Sequence, residues 1–514
     1  MRILKCLLWV VLGLSLFGVL SADDITQRRA EATIRFLADD LLEGRGTPSR
    51  GLDIAALYLA AELRSAGWQP AAGGSYFQTY TLKSFTPEST KTSISINGVP
   101  LDPKEFTFLP FSMNPELTPV KYDLVFAGYG IFAPEKNVDD FAGADVKGKA
   151  VVSLFGAPWP LDPAVVHAYD RGVGKGVHVT VRGGKLLVYV SEEFEAPDEA
   201  PPSAEVGVVR GYSKLPLAYL PEFQGKLTSG ICPSLAIIPS AFDKTLAKVT
   251  GGTYADWKKR LPTKTFKAQT LSASVEVRIE TKPQEGKACN VVAMLPGTDS
   301  SLKDEWVVLS AHYDHLGFYN TPPGQDGIYN GADDNASGTA AILEMARRLA
   351  EARPRRSLLV VLTSGEEQGL LGSAVYSVHP LVPKANLVVN INADMVGRSA
   401  GKVFGGAIGC EEILSRAAEF GKQHGIEVLP DPNPTWRLIY FVDSYHFARS
   451  NIPYVDFMTE FHEDYHQPSD EAGRIHFKEL SQIIDVLSEL ANFYAQGGEK
   501  PVFKRPAWFL IPED

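Results

Sequence analysis

The sequence predicts an α/β protein: a mixed, mostly parallel sheet flanked by helices, with a β-rich module inserted. Three observations predict it. From about residue 270 onward strand-like and helix-like segments alternate, the pattern of a sheet with helical crossovers. Four short apolar runs in this half have the length and composition of sheet strands. Residues from about 119 to 265 have another texture, with short apolar strands ("YDLVFAGYGIFAP", "GKAVVSLFGAP", "KLLVYVS", "SLAIIPS") between Gly- and Pro-containing turns. A chain of 514 residues calls for two or three domains. The expected boundaries are a leader over 1–22, an N-terminal part of the main domain over 23–118, and the insert over 119–265. The main domain continues over 266–500, and 501–514 is a tail.

The N-terminus "MRILKCLLWVVLGLSLFGVLSADD" has the form of a secretory signal: Arg2 and Lys5, an apolar stretch, then small residues near Ala22. The competing reading, a membrane anchor, needs a longer span than this segment offers comfortably. The chain is therefore expected to be secreted or periplasmic, without stable membrane association once the leader is cleaved. Residues 26–66 read as helix, with Leu52, Ala55, Ala56, Leu59 and Leu63 on one face and Gly67 and Pro70 as the stop. From about 75 to 118 the chain turns to short strand-like pieces.

Hydrophobic content of 45% and charged content of 22% are those of a globular protein. The net charge of −11, which becomes −13 when Arg2 and Lys5 leave with the leader, argues against nucleic acid or an anionic membrane surface as partner and suits cation binding. Beyond Cys6 in the leader, Cys232, Cys289 and Cys410 lie far apart and at no metal spacing. The insert holds no cluster of metal-binding or nucleophilic residue types. Its lone histidines His167 and His178 read as surface or packing residues.

The four apolar runs each lead into residues suited to metal binding. "EWVVLSAHYDHLG" ends in His312 and Asp314, "SLLVVLTSGEE" in Glu366 and Glu367, "NLVVNINADMVG" in Asp394, and "IPYVDFMTEFHEDYHQPSDE" runs into His466. Between the first two, "NGADDNASGTAAILEMARRLAEARP" is an acidic turn opening a helix. Ligands of open α/β sheets bind outside the carboxyl ends of the strands, so these residues converge on one place. Singly, a strand-end histidine is a capped or packed one and an aspartate before a helix an N-cap. Arriving together, they describe a site.

Two imidazoles with carboxylates and no thiolates suit zinc, with manganese or cobalt as alternatives. Five ligands exceed the three of a single catalytic zinc. Two ions sharing a bridging carboxylate would use all five, and two divalent ions, three carboxylates and a hydroxide balance to zero charge. Asp314, two residues past His312 in extended backbone, faces the same way and is expected to accept its ring N–H. Neighbours in extended backbone diverge, so Glu367 can hold metal while Glu366 faces the open position as general base for a water.

These segments resemble the secreted di-zinc aminopeptidases and the wider family that includes prostate-specific membrane antigen, through "AHYDHLG", "GADDNASGTA", "SGEEQGLLGS", "NADMVG" and "EDYHQPSDE" in that order. "FLADDLLEGRGTPSRGLDIAALYLAAELRSAG" is similar to the N-terminal helices of its larger members. "VFAGYGIFAPE" and "DFAGADVKGKAVV" resemble the protease-associated domain often inserted in them. The resemblance implies a zinc exopeptidase fold and two zinc ions. One would be held by His312, Asp334 and Asp394, the other by Asp334, Glu367 and His466. Asp334 rather than Asp333 would be the bridge, Glu366 the base, and Tyr465 a support for the oxyanion. It implies peptide substrates and an aminopeptidase. A carboxypeptidase, dipeptidase or glutaminyl cyclase on the same fold and a non-catalytic receptor-like protein are the alternatives, and a monomer is expected. The chain departs from the family at "YFVDSYHFARSNIP", where Asp443 is in place but Ser444 stands for the usual histidine and His446 is shifted. No G-x-S-x-G elbow is present, which disfavours a serine hydrolase.

Overall fold

The structure is a computed structural model. It describes residues 22–511 except 86–90, 109–113, 134–136, 157–171, 193–216, 224–231, 262–265, 320, 322–323, 433–437, 507–508 and 510. The leader expected over residues 1–22 lies outside the described residues but for Ala22. No described helix is long and apolar enough to cross a membrane.

Strands β1 (Phe77–Phe85), β2 (Gln284–Leu295), β3 (Trp306–His312), β4 (Ser357–Thr363), β5 (Leu387–Ala393), β6 (Lys402–Gly406), β7 (Glu427–Pro430) and β8 (Tyr454–Met458) build the larger sheet. They lie in the order β1-β2-β4-β3-β5-β8-β6-β7, with Leu217–Tyr219 pairing outside β1. The central strands β4, β3, β5 and β8 are mutually parallel and correspond to the four apolar runs. The strand β3 lies between β4 and β5, the strands that follow it in sequence, so the connections leave in opposite directions and a crevice opens at its carboxyl end.

The sheet is covered on both faces, as buried parallel strands require. Val307, Leu309, Val360 and Ile391 point to one face, against the helices Arg50–Ser65, Gly338–Ala352 and Phe477–Ala495. Val308, Leu359 and Val361 point to the other, against Tyr376 and Phe447 of the helices Leu371–Val378 and Ser444–Arg449.

The helical stretch expected over 26–66 is two helices, Ala22–Leu37 and Arg50–Ser65, joined by a tight turn. Glu43, Gly44 and Arg45 there have φ of 48°, 66° and 52°, outside the helical region. Ser49 caps the second helix through its hydroxyl on the Leu52 N–H. The expected face of that second helix, with Ala60, is buried.

A second, eight-stranded sheet holds Val120–Phe126, Ala150–Leu154, Leu186–Val190 and Ser234–Ile237. It also takes in Thr92–Ile96, Phe106–Phe108 and Gln269–Ile279, so it draws on residues either side of 119–265. Its four inner strands run parallel and helices Gly172–Val181, Pro239–Thr250 and Tyr254–Arg260 accompany them, so this part is itself α/β. Sequence reading passed over Gly172–Val181 because "GVGKGVHVTV" is composed of weak helix formers. His178 is buried with its ring 5.3 Å from that of Phe132, the packing role expected of it. The three described cysteines are free thiols.

Candidate metal centre

Strand register explains how the predicted residues meet. His312 ends β3, and Asp394 follows β5 by one residue with its N–H bonded to the Phe457 carbonyl at 2.9 Å. On the face bearing Val308, the side chains of Ser310 and Asn392 are paired by register and hydrogen-bonded at 2.7 Å. Two residues further along, that alternation sets His312 beside Asp394, and His312 Nε2 lies 3.3 Å from Asp394 Oδ1. The same nitrogen lies 3.3 Å from Asp334 Oδ1. The other oxygen of Asp334 is 2.9 Å from His466 Nε2, which is 3.3 Å from Glu367 Oε2.

Asp334 therefore offers one oxygen to each of two triads. Donors at about 2.0–2.1 Å around a tetrahedral ion stand roughly 3.3–3.4 Å apart. Three of the separations, at 3.3 Å, match that spacing, and the fourth, His466 to Asp334, is shorter at 2.9 Å. His312, Asp334 and Glu367 are buried and Asp394 is only 13% exposed. Packing this many carboxylates out of water is costly unless cations join them, so the donor set fits a pair of divalent ions.

The turn carrying Asp334 is held from several sides. Gly331, at φ +55°, leaves room for the His315 ring, since a Cβ there would come within 2.4 Å of His315 Cγ. Asp470 accepts the N–H groups of Asp333 and Asp334 at 3.0 Å each. Asp333 points away from the site and accepts from Gly397 N at 2.6 Å and Ser337 Oγ at 3.0 Å, with His462 Nε2 at 3.1 Å. Its neighbour is thus the one left to face the triads.

Arg45 lies fully buried behind the same loops. Its guanidinium donates to the carbonyls of Tyr313 (2.9 Å), Asn330 (2.7 Å), Gly331 (3.0 Å) and Leu37. Burial lowers it to about 10 against the pull of Asp314, Asp470 and other acids, which leaves it charged at neutral pH. His315, also fully buried, brings Nδ1 to 2.8 Å from Glu367 Oε1 and can join Asp334 and Glu367 as a donor group. Sequence reasoning assigned no part to Arg45, Thr47, His315 or Asp470. "LLEGRGTPSRG" and "QPSDE" were the available signals.

Asp314 is buried below the site. Its carboxylate accepts from Thr47 Oγ1 at 3.1 Å and from the Glu366 N–H at 3.3 Å. His312 Nδ1 lies 3.2 Å from the Asp314 backbone carbonyl and 3.8 Å from its carboxylate, so the backbone oxygen is the nearer acceptor. Tyr465 stacks on the His466 ring at 3.7 Å.

The two adjacent glutamates differ electrostatically. For Glu367, burial works upward, but His466 and the contact with His315 prevail and hold it at about 2. For Glu366, burial also works upward, His312 opposes it, and Glu367, Asp394 and Asp443 add to it, so it stands well above the usual carboxylate range. His466 rises to about 10 although burial opposes this, because Glu367 and Asp334 favour its charged form. His312 is raised well above its ordinary value in the same way, by Asp394 and Glu366 against burial.

Comparison with known proteins places this geometry. Residues 290–491 match the model of Peptidase family M28. A protein named probable zinc metalloprotease from Leptosphaeria maculans is 34% identical over 117 residues, 22% of this chain and 25% of that one. The aminopeptidase YwaD of Bacillus subtilis is 39% identical over 94 residues, 18% of each chain. The chain thus spans about a quarter or less of the length of these relatives. In fold it is similar to the aminopeptidase from Aneurinibacillus sp. strain AM-1, with a TM-score of 0.51 at 18% identity over 94% of this chain and 97% of that one. The segment that gathers these side chains, from β3 to the last helix, is thus similar to Peptidase family M28.

Proposed function

We propose that the protein is a zinc-dependent aminopeptidase that removes N-terminal residues from peptides. The observation that carries the reading is the pair of His–carboxylate triads sharing Asp334 at the carboxyl ends of β3, β4, β5 and β8. The relatives named zinc metalloprotease and aminopeptidase support it.

In this reading His312, Asp334 and Asp394 hold one zinc ion, and Asp334, Glu367 and His466 the other. Bound zinc supplies a Lewis acid for the scissile carbonyl and lowers the pKa of water towards about 7. Glu366, partly buried and inclined to hold a proton, takes one from the attacking water and delivers it to the leaving amine. Its position is fixed by its own N–H on Asp314, which Thr47 steadies in turn. Tyr465, whose hydroxyl burial keeps protonated, serves as the hydrogen-bond donor to the oxyanion. Export, from the leader-like 1–22, and a protease-associated module over 119–265 belong to the same reading.

The test is a panel of aminoacyl and N-blocked chromogenic peptides with and without chelator. Cleavage confined to free-amine substrates, lost to chelator and restored by zinc, is expected. Cleavage of N-blocked peptides alone would replace this reading with a carboxypeptidase.

A further inference from the structure

Beneath the metal centre runs a row of buried polar side chains. Asn390 Nδ2 donates to Ser310 Oγ at 2.7 Å, Ser310 Oγ to Asn392 Oδ1 at 2.7 Å, and Asn392 Nδ2 to Asp456 Oδ1. Ser444 Oγ reaches the same Asp456 oxygen at 3.5 Å. Asp456 sits on β8 opposite Asn392, and Ala393 opposite Phe457, so Met458 is the residue of β8 level with Asp394.

Tyr454, Asp456 and Met458 share one face of β8, and Phe404 and Gly406 the matching face of β6. These faces, with Leu438, Ile439 and Val442, line a partly open pocket. Met458 puts the pocket beside Asp394. Asp456 and Asp431 also line it, between largely apolar walls. Among the described residues no lysine or arginine pairs with Asp456, whose hydrogen bonds go to Asn392 and Ser444.

We propose that this pocket receives the side chain of the substrate's N-terminal residue and that Asp456, assisted by Asp431, selects a cationic one, lysine or arginine. The inference rests on the aminopeptidase reading and names its substrate class. Shape and chemistry support it together. The step from Met458 to Asp456 is two residues of strand, about 6.6 Å, and an extended lysine side chain reaches roughly 6 Å. Apolar walls suit its methylene stem and a carboxylate further down suits its head. A leucine or phenylalanine would fill the walls but set an apolar group beside the Asp456 carboxyl, which is less favourable than a cation there.

The experiment compares zinc-loaded wild type with the near-isosteric Asp456→Asn and Asp431→Asn variants on lysyl, arginyl, norleucyl and leucyl amidocoumarins. Calorimetric binding of lysinamide and norleucinamide runs alongside, and circular dichroism checks the fold. Wild type should favour lysyl over norleucyl in kcat/KM by at least about tenfold, with Asp456→Asn reducing that ratio at least about tenfold. Lysinamide should bind more tightly than norleucinamide by a similar factor. A wild type that prefers norleucyl, or a ratio that Asp456→Asn leaves unmoved, overturns the inference while the aminopeptidase reading stands. If no aminoacyl substrate is cleaved, that reading fails instead. The binding arm then decides the pocket: equal binding of the two amides ends it.

Discussion

Glu366 and Glu367 share one turn and one acidic surrounding, yet one is driven towards its proton and the other away from it. The difference is contact. Glu367 meets His466 and His315, while Glu366 has only the more distant pull of His312. Paired carboxyls pushed apart in this way mark the proton carrier. Glu366→Gln should therefore lower kcat by roughly two to four orders of magnitude, with zinc content by elemental analysis unchanged. The histidines give a second expectation. Without metal, His466 holds its proton to about 10 and His312 is also raised well above its ordinary value, so near pH 7 both are charged. Zinc must displace those protons, so apparent affinity rises with pH, by about tenfold per unit for each proton released. Titration calorimetry in buffers of different ionisation enthalpy would read the release directly, and uptake independent of pH would contradict it.

At the level of elements, strand ends and loops were unequally legible. The four central strands could be read because each is a continuous apolar run, and the rule that ligands gather at strand ends then placed His312, Glu367, Asp394 and His466 together. The parts that support them could not be read, because nothing local marks their partners. Arg45 looks like a turn residue, and its four acceptors come from Leu37, Tyr313, Asn330 and Gly331. Asp470 lies more than 130 positions from the N–H groups it receives. Arg45→Met leaves those carbonyls without donors and should cost on the order of 4 kcal/mol in chemical unfolding. Gly338→Ala should also destabilise, although the helical backbone there tolerates alanine. A Cβ would stand 2.2 Å from the Ala393 carbonyl and 2.3 Å from Asn335 Oδ1. Overpacking of this kind costs about 1–3 kcal/mol. By moving the residue before Asp394 it should also weaken zinc binding in chelator competition.

Over the whole molecule, the alternating half was read as α/β and is α/β, because hydrophobic period and turn residues agree there. The expected limits of the insert were narrower than its sheet, since strands such as Thr92–Ile96 and Gln269–Ile279 find partners only across long sequence separations. A buried acidic centre makes the metal-free molecule the less stable one. Zinc at a hundredfold excess over Kd should add about 2.7 kcal/mol per site. Thermal unfolding should show the midpoint rising steeply up to two equivalents of zinc and logarithmically beyond, and Asp334→Asn, which removes the shared donor, should flatten that rise.

The buried guanidinium behind the ligand loops has a consequence for the order of events during folding. It ties residue 45 to residues 313 and 330–331, while the clamp on the shared aspartate arrives only with residue 470. A nascent chain that has not reached residue 470 holds most of the donor atoms but lacks part of the frame that aims them. Tight uptake of the cations is thus expected only once residues 45 and 470 have both closed on the ligand loops.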